Sequence, residues 1–231
     1  MTRLIPRRPL RDDVYQDLRE RLVQGAFPPG SRLRDVPLGV ELGVSRTPVR
    51  EALVRLTHAG FLEADVGRGF TVRPLVARDV RNAYPILWTL ECLALSLSPL
   101  PTKVRLAALD AINARMEGAA STTRRLALDA EWHRALLSEC PNDLLLAQIG
   151  GLKDFVEVYE YAYARQFPVH TSTEEHRAIV AALRRRDVPA ALASLELNFR
   201  GTVERLLPWL EASDHQASPR RAPAERRSAR A

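Results

Sequence analysis

Asp129 and His133 lie four residues apart, so a helix places them one above the other on a single face, and His176 follows from a later segment. A carboxylate and two imidazoles make a ligand set for one divalent cation, zinc or similar. The same three residues are formally the two-histidine, one-carboxylate set of non-haem iron oxygenases, and they read equally as hydrogen-bonded core histidines facing each other across a cavity. A second constellation is Ser45-Arg46-Thr47-Pro48-Val49-Arg50-Glu51-Ala52-Leu53, which puts Arg46 and Arg50 on one face at the start of a helix. A guanidinium offers paired donors to guanine O6 and N7 in a DNA major groove, and each good pair discriminates by about 1–3 kcal/mol. Ser45 and Thr47 are short enough to donate to flanking phosphates, and Arg68, between Gly67 and Gly69, could enter the adjacent minor groove. Arg34 and Gly69 complete the set of candidate DNA-binding residues. Two isolated arginines would more simply be solvated or paired with Glu51 and nearby acids, so their surroundings decide the matter.

Those surroundings are a helix-turn-helix with a wing. Val14, Leu18 and Leu22 recur at helical spacing up to Gly25, and Pro28-Pro29-Gly30 forces a turn. Asp35 is placed to cap a short second helix running through Leu42, with Pro37 in its first turn and Gly43 at its end. Ser45 then stands where an N-cap belongs, and Val49, Leu53 and Leu56 give the third helix an apolar stripe that ends before Gly60. Residues 61–65 and 70–74 read as two strands joined by a glycine-containing hairpin turn. Residues 10–74 are therefore expected to form a winged helix-turn-helix domain behind a basic arm, residues 1–9.

After a linker at 75–78, residues 79–98, 102–119, 121–139, 142–166, 172–186 and 188–212 are apolar at helical spacing, which predicts an antiparallel six-helix bundle over 79–212. The fold class expected is thus mainly α. Charge follows the same division. Residues 1–74 carry 13 arginines against 9 acidic residues, residues 75–212 are nearly balanced, and residues 213–231 are again basic. A basic segment attracts polyanions through counterion release, without choosing a sequence. The tail 213–231, rich in Arg, Ala, Ser and Pro, cannot bury enough surface to offset its ordering entropy and is expected to be disordered. The longest apolar stretch is broken by Glu91 and by several Ser and Pro residues, the N-terminus has no secretory-signal core, and Cys92 and Cys140 read as buried free thiols. A cytoplasmic protein with no membrane partner is the expectation.

The run Leu42-Gly43-Val44-Ser45-Arg46-Thr47-Pro48-Val49-Arg50-Glu51-Ala52-Leu53, with Pro29-Gly30, Leu33, Leu38 and Gly60, resembles the N-terminal domain of the GntR family of transcriptional regulators. The helical remainder resembles the FadR-like branch, whose C-terminal FCD domain binds an effector and dimerises. The resemblance implies that Arg46 and Arg50 contact an operator, that Gly69 lies in the wing, and that a homodimer reads a palindromic site on double-stranded DNA. It also implies a metal site of one Asp and three His on which a carboxylate effector sits. Asp129, His133 and His176 match the first three ligands, whereas the fourth position is Asn198, whose neutral amide is the weaker ligand. Where the family carries an effector-binding arginine, four residues before the glutamate matching Glu91, this chain has Leu87. The function implied is a repressor whose DNA affinity is changed by a small metabolite, an organic acid; the alternatives are a constitutive DNA-binding protein with a degenerate sensor, or a metal-dependent enzyme.

Overall fold

The computed structural model describes residues 10–65, 69–167 and 172–217. The basic arm 1–9, Arg68 at the hairpin tip and the tail beyond 217 lie outside the described residues. In chain order the elements are α1 (Leu10–Val23), β1 (Arg32–Leu33), α2 (Asp35–Leu42), α3 (Arg46–His58), β2 (Leu62–Asp65), β3 (Gly69–Val72), α4 (Ala77–Leu97), α5 (Lys103–Glu117), α6 (Thr122–Leu137), α7 (Asp143–Ala164), α8 (Thr173–Arg184) and α9 (Val188–Ala217). Mainly helical architecture with a small sheet is what the periodicity predicts. The strands form one antiparallel sheet in the order β1-β3-β2.

Two hydrophobic cores organise the chain. In the first, the apolar stripe of α3, residues Val49, Ala52, Leu53 and Leu56, has no exposed surface and meets Leu18 of α1 and Leu62 of β2. In the second, α4 lies along α9 and α7, α9 along α8, and α5 against α6 and α8; Trp132, Tyr84 and Leu87 are fully enclosed there. The cores touch along α1 and α7, where Val158 packs against both. Arg165 donates to Val23 O at 2.9 Å across that seam, and Arg73 and Tyr159 both bond Asp79 Oδ2, at 3.0 and 2.9 Å. Among the described residues no helix is long and apolar enough to cross a membrane.

Several local expectations are corrected. Arg34, not Asp35, is the N-cap of α2; Asp35 is its first helical residue and makes no cap bond, because its carboxylate is taken by arginines of α3. Ser45 holds the extended N-cap backbone of α3, but its side chain makes no cap bond. The two-residue strand β1 is too short to leave a periodic trace and went unforeseen. Helix α4 starts at Ala77, which is buried, so half of the expected linker 75–78 belongs to it. Residues 213–217 continue α9 where disorder is expected from composition: a helix already nucleated and packed is prolonged at the cost of one residue at a time, with one backbone bond gained for each. Cys140 is buried, but Cys92 is only half-buried.

Gly69 shows why the wing needs a glycine. It pairs with Asp65 at φ +101°, and a Cβ there would stand 2.9 Å from the carbonyl oxygen of Leu33. Backbone strain and a main-chain clash then act together. Gly69→Ala is expected to destabilise the N-terminal domain by about 1–3 kcal/mol, read as a lower midpoint in chemical denaturation; an unchanged midpoint would refute this account of the wing.

Candidate functional site

The exposed end of α3 is ordered by one carboxylate. Asp35 Oδ2 accepts from Arg46 Nε at 2.8 Å and from Arg50 Nη1 at 3.3 Å. Asp35 is nearly enclosed, whereas the arginine side chains remain 63% and 59% exposed. The hydrogen bond from Arg46, reinforced by Arg50, holds the Asp35 carboxyl below its usual range despite partial burial. Both guanidiniums are thus pinned from one side with donors still open to solvent. The next arginine on the helix, Arg55, is instead engaged with α1, bonding Asp12 at 2.8 Å and lying 4.1 Å over the Tyr15 ring. Ser45, Thr47 and Arg34 are exposed nearby.

In the second core, Asp129, His133 and His176 converge, with one ligand atom from each lying within 4.8 Å of the others. Second partners fix the two rings. Asn113 Nδ2 donates to Thr173 O at 2.9 Å, which aims its amide oxygen at His176 Nδ1, 3.0 Å away. His176 Nδ1 therefore carries the proton and Nε2 the lone pair. Burial drives the pKa of His176 down to about 3, so the ring is neutral. On the other side His133 Nδ1 donates to Glu91 Oε2 at 2.7 Å, which turns its Nε2 toward Asp129. The Nε2 atoms face Asp129 Oδ1 and Oδ2 at 3.5 and 3.8 Å. His176 Nε2 is buried without a hydrogen-bond partner. The His176 lone pair aimed at a carboxylate is repelled unless a cation stands between them, and histidines oriented from behind in this way are characteristic of metal ligands. The residues present fit a divalent ion.

Charge around the cluster is balanced by a residue the sequence reading overlooked. Lys153 of α7 lies 3.4 Å from Glu91 Oε1 and 4.6 Å from the centre of the Phe199 ring. Burial depresses the Lys153 ammonium, but Glu91, Asp129 and Glu160 outweigh it and hold it charged. Burial likewise raises Glu91, and His133 and Lys153 more than reverse that, so the carboxyl stays ionised. Asp129, His133 and Lys153 all line a cavity of about 570 Å³ between α6 and α7, whose wall also includes Gln16 and Arg19 of α1. That volume is in the range of small-molecule sites, roughly 300–1,000 Å³.

Three of the four expected ligands are thus assembled. Asn198 is buried on α9 next to Phe199, whose ring lies 5.1 Å from that of His133. Leu87 is fully buried, one turn before Glu91. Faint signals marked the residues that were missed. Lys153 is one of only two lysines among 34 basic residues, and Asn113 is a polar side chain set in the apolar stripe of Leu109, Ile112 and Met116. Arg19 carried no local signal.

Residues 10–72 match the bacterial regulatory proteins of the gntR family, and residues 83–200 match the FCD domain. The Nta operon transcriptional regulator of Aminobacter aminovorans is 34% identical over 77% of this chain and 87% of its own length. The probable D-xylose utilization operon transcriptional repressor of Paenarthrobacter nicotinovorans is 30% identical over 93% of this chain and 92% of its own. The structure of Escherichia coli McbR/YncC shares the fold, with a TM-score of 0.77 at 24% identity, covering 88% of this chain and 99% of that one. Together with the winged helix-turn-helix and the helical domain behind it, these matches place the chain: it belongs to the GntR family, a transcriptional regulator with an FCD domain and not an enzyme.

Proposed function

We propose that this regulator acts as a cytoplasmic homodimer that represses transcription from a palindromic operator, and that a small organic acid bound at a divalent ion in the FCD domain changes its hold on DNA. The observation that carries the DNA half is the sharing of Asp35 by Arg46 and Arg50 while both stay more than half exposed. Pinning reduces the rotamer entropy lost on contact, which favours base readout over a merely solvated face. Ser45, Thr47 and Arg34 are assigned to backbone phosphates, Gly69 to the wing that approaches them, and Arg68 to the minor groove. A repressor role is favoured by the relative described as a probable repressor.

For the sensor, Asp129, His133 and His176 would hold the ion, with Asn198 as the fourth ligand, and the ion would supply a Lewis-acid seat for a carboxylate. Asn198 contributes a neutral oxygen, so zinc binds less tightly than with a third imidazole. Lys153 gives the acid a second positive contact. The homodimer is supported by Ile86, Leu93 and Leu97, an exposed apolar stripe on α4, beside exposed Leu197 on α9. Two copies joined there would present two recognition helices to successive major grooves, about 34 Å apart.

Arg46→Ala and Arg50→Ala are each expected to cost about 1–3 kcal/mol of binding to the chain's own upstream DNA, in protein whose helical circular dichroism shows it folded. Fluorescence anisotropy at fixed salt measures this, and wild-type affinity in the double variant would end the DNA-reading assignment. Protein purified without a nickel column should contain one equivalent of divalent metal by elemental analysis, and Asn113→Ala, which releases His176, should weaken that metal about 10–100-fold. Absence of stoichiometric metal, together with unchanged melting on chelation, would refute the sensor site. Paired Ile86→Asp and Leu93→Asp changes should convert the dimer to monomer in light scattering; a retained dimer mass would rule out the α4 interface.

A further inference from the structure

Helix α1 belongs to the DNA-reading core, yet its Gln16 and Arg19, three residues apart on one face, stand in the wall of the cavity that holds Asp129, His133 and Lys153. Arg19 is mostly buried there, bonding Asp154 Oδ1 at 2.7 Å and also Glu157 Oε2, both on α7. Its Nε is buried with no hydrogen-bond partner. We propose that the cavity takes a dicarboxylate, with one acid group on Lys153 and the second on Arg19, so that the DNA-binding domain touches the effector directly. This rests on the organic-acid reading above and deepens it.

Three features lead there. First, the cavity wall offers cations from two helices, Lys153 from α7 and Arg19 from α1. A monocarboxylate satisfies one of them, whereas a diacid satisfies both. Second, Arg19 already binds carboxylates. A ligand carboxylate that replaces Asp154 exchanges one partner for a like one and buries no new unpaired charge. Asp154 is 41% exposed and returns to water cheaply. Third, the present arrangement leaves the Nε donor of Arg19 unmet, a buried deficit that a side-chain shift toward an incoming anion can remove.

The exchange has a mechanical consequence. Arg19 with Asp154 and Glu157 fastens one part of the α1–α7 seam, and Arg165 with Val23 O fastens another. Exchanging Asp154 for the ligand loosens the first, while Glu157 and the second still hold, and lets α1 pivot on α7. Helix α3 must follow, because α1 and α3 share the first core and Arg55 ties α3 to Asp12 and Tyr15. The reading helix is then redirected with no long relay through the bundle.

Calorimetric titration of the full chain, reconstituted with zinc, with succinate, glutarate and adipate against butyrate, pentanoate and hexanoate tests this. At least one diacid should bind more tightly than its chain-matched monoacid. Arg19→Gln should weaken that diacid about tenfold and leave the monoacids unchanged. The double variant Asp154→Asn with Glu157→Gln, which removes the competing carboxylates but keeps the guanidinium, should bind the diacid more tightly than wild type. Equal diacid binding by Arg19→Gln and wild type would overturn the proposal, as would a loss of affinity in the Asp154/Glu157 variant, the mark of a purely structural pair. Monoacids that bind as tightly as their chain-matched diacids would overturn it and leave the organic-acid sensor standing; no binding of either class would overturn both.

Discussion

Glu91 is a carboxylate with no exposed surface in the middle of a helical core. Taking such a charge out of water costs several kcal/mol, on the order of what a whole domain has to spare, unless partners meet it closely. It is met from two other helices, by His133 of α6 at 2.7 Å and by Lys153 of α7 at 3.4 Å. That requirement fixes much of the domain at once. It sets the spacing of α4, α6 and α7, it decides which nitrogen of His133 bears the proton, and it draws an ammonium group to the wall of a space that apolar side chains would otherwise close.

Legibility in the sequence followed the range of each interaction. The reading helix could be recognised because everything that defines it is local: an N-cap position, two arginines four apart and a stripe of Val49, Leu53 and Leu56. Asp129 and His133 were legible for the same reason, being four apart on α6, and His176 through its family match. What failed was non-local or terminal. Asp35 was read as a cap because its neighbours in sequence allow it, whereas its true partners are 11 and 15 residues away. Asn113 orients His176 from 63 residues upstream, and Arg19 meets Glu157 across 138. No periodicity encodes such pairs; they exist only once the helices are packed. The extension of α9 through residue 217 was missed for another reason, since composition measures what can be buried and a helix end needs little burial to persist.

Helix α7 presents different faces to three parts of the structure. One side supplies Val156 and Tyr159 to the second core, another supplies Lys153 to the cavity, and a third presents Asp154, Glu157 and Arg165 to α1. Close approach is enforced along this seam. A side chain at Gly60 would run into the Phe155 ring at 2.9 Å, and Gly25, beside the Arg165 guanidinium, holds φ +74°, where a side chain is strained. A seam with bare backbone on one side and aromatic or guanidinium groups on the other tolerates sliding poorly and favours discrete arrangements, which a switch between two states requires.

The loss of the expected arginine at Leu87 then takes on a different meaning. Leu87 lies one turn before Glu91 on α4 and is fully enclosed, so an arginine there would direct its charge into the same region. Lys153 already fills that electrostatic role from α7, held charged by Glu91, Asp129 and Glu160. This cation stands on the helix that contacts the DNA-binding core. On α4 a charge that answers a ligand is remote from α1. On α7 it sits next to Asp154, one residue before the pair that grips Arg19. The cavity wall and the seam with the DNA-binding core are thereby carried on one helix, so a ligand held at Lys153 would bear on the element that docks α1.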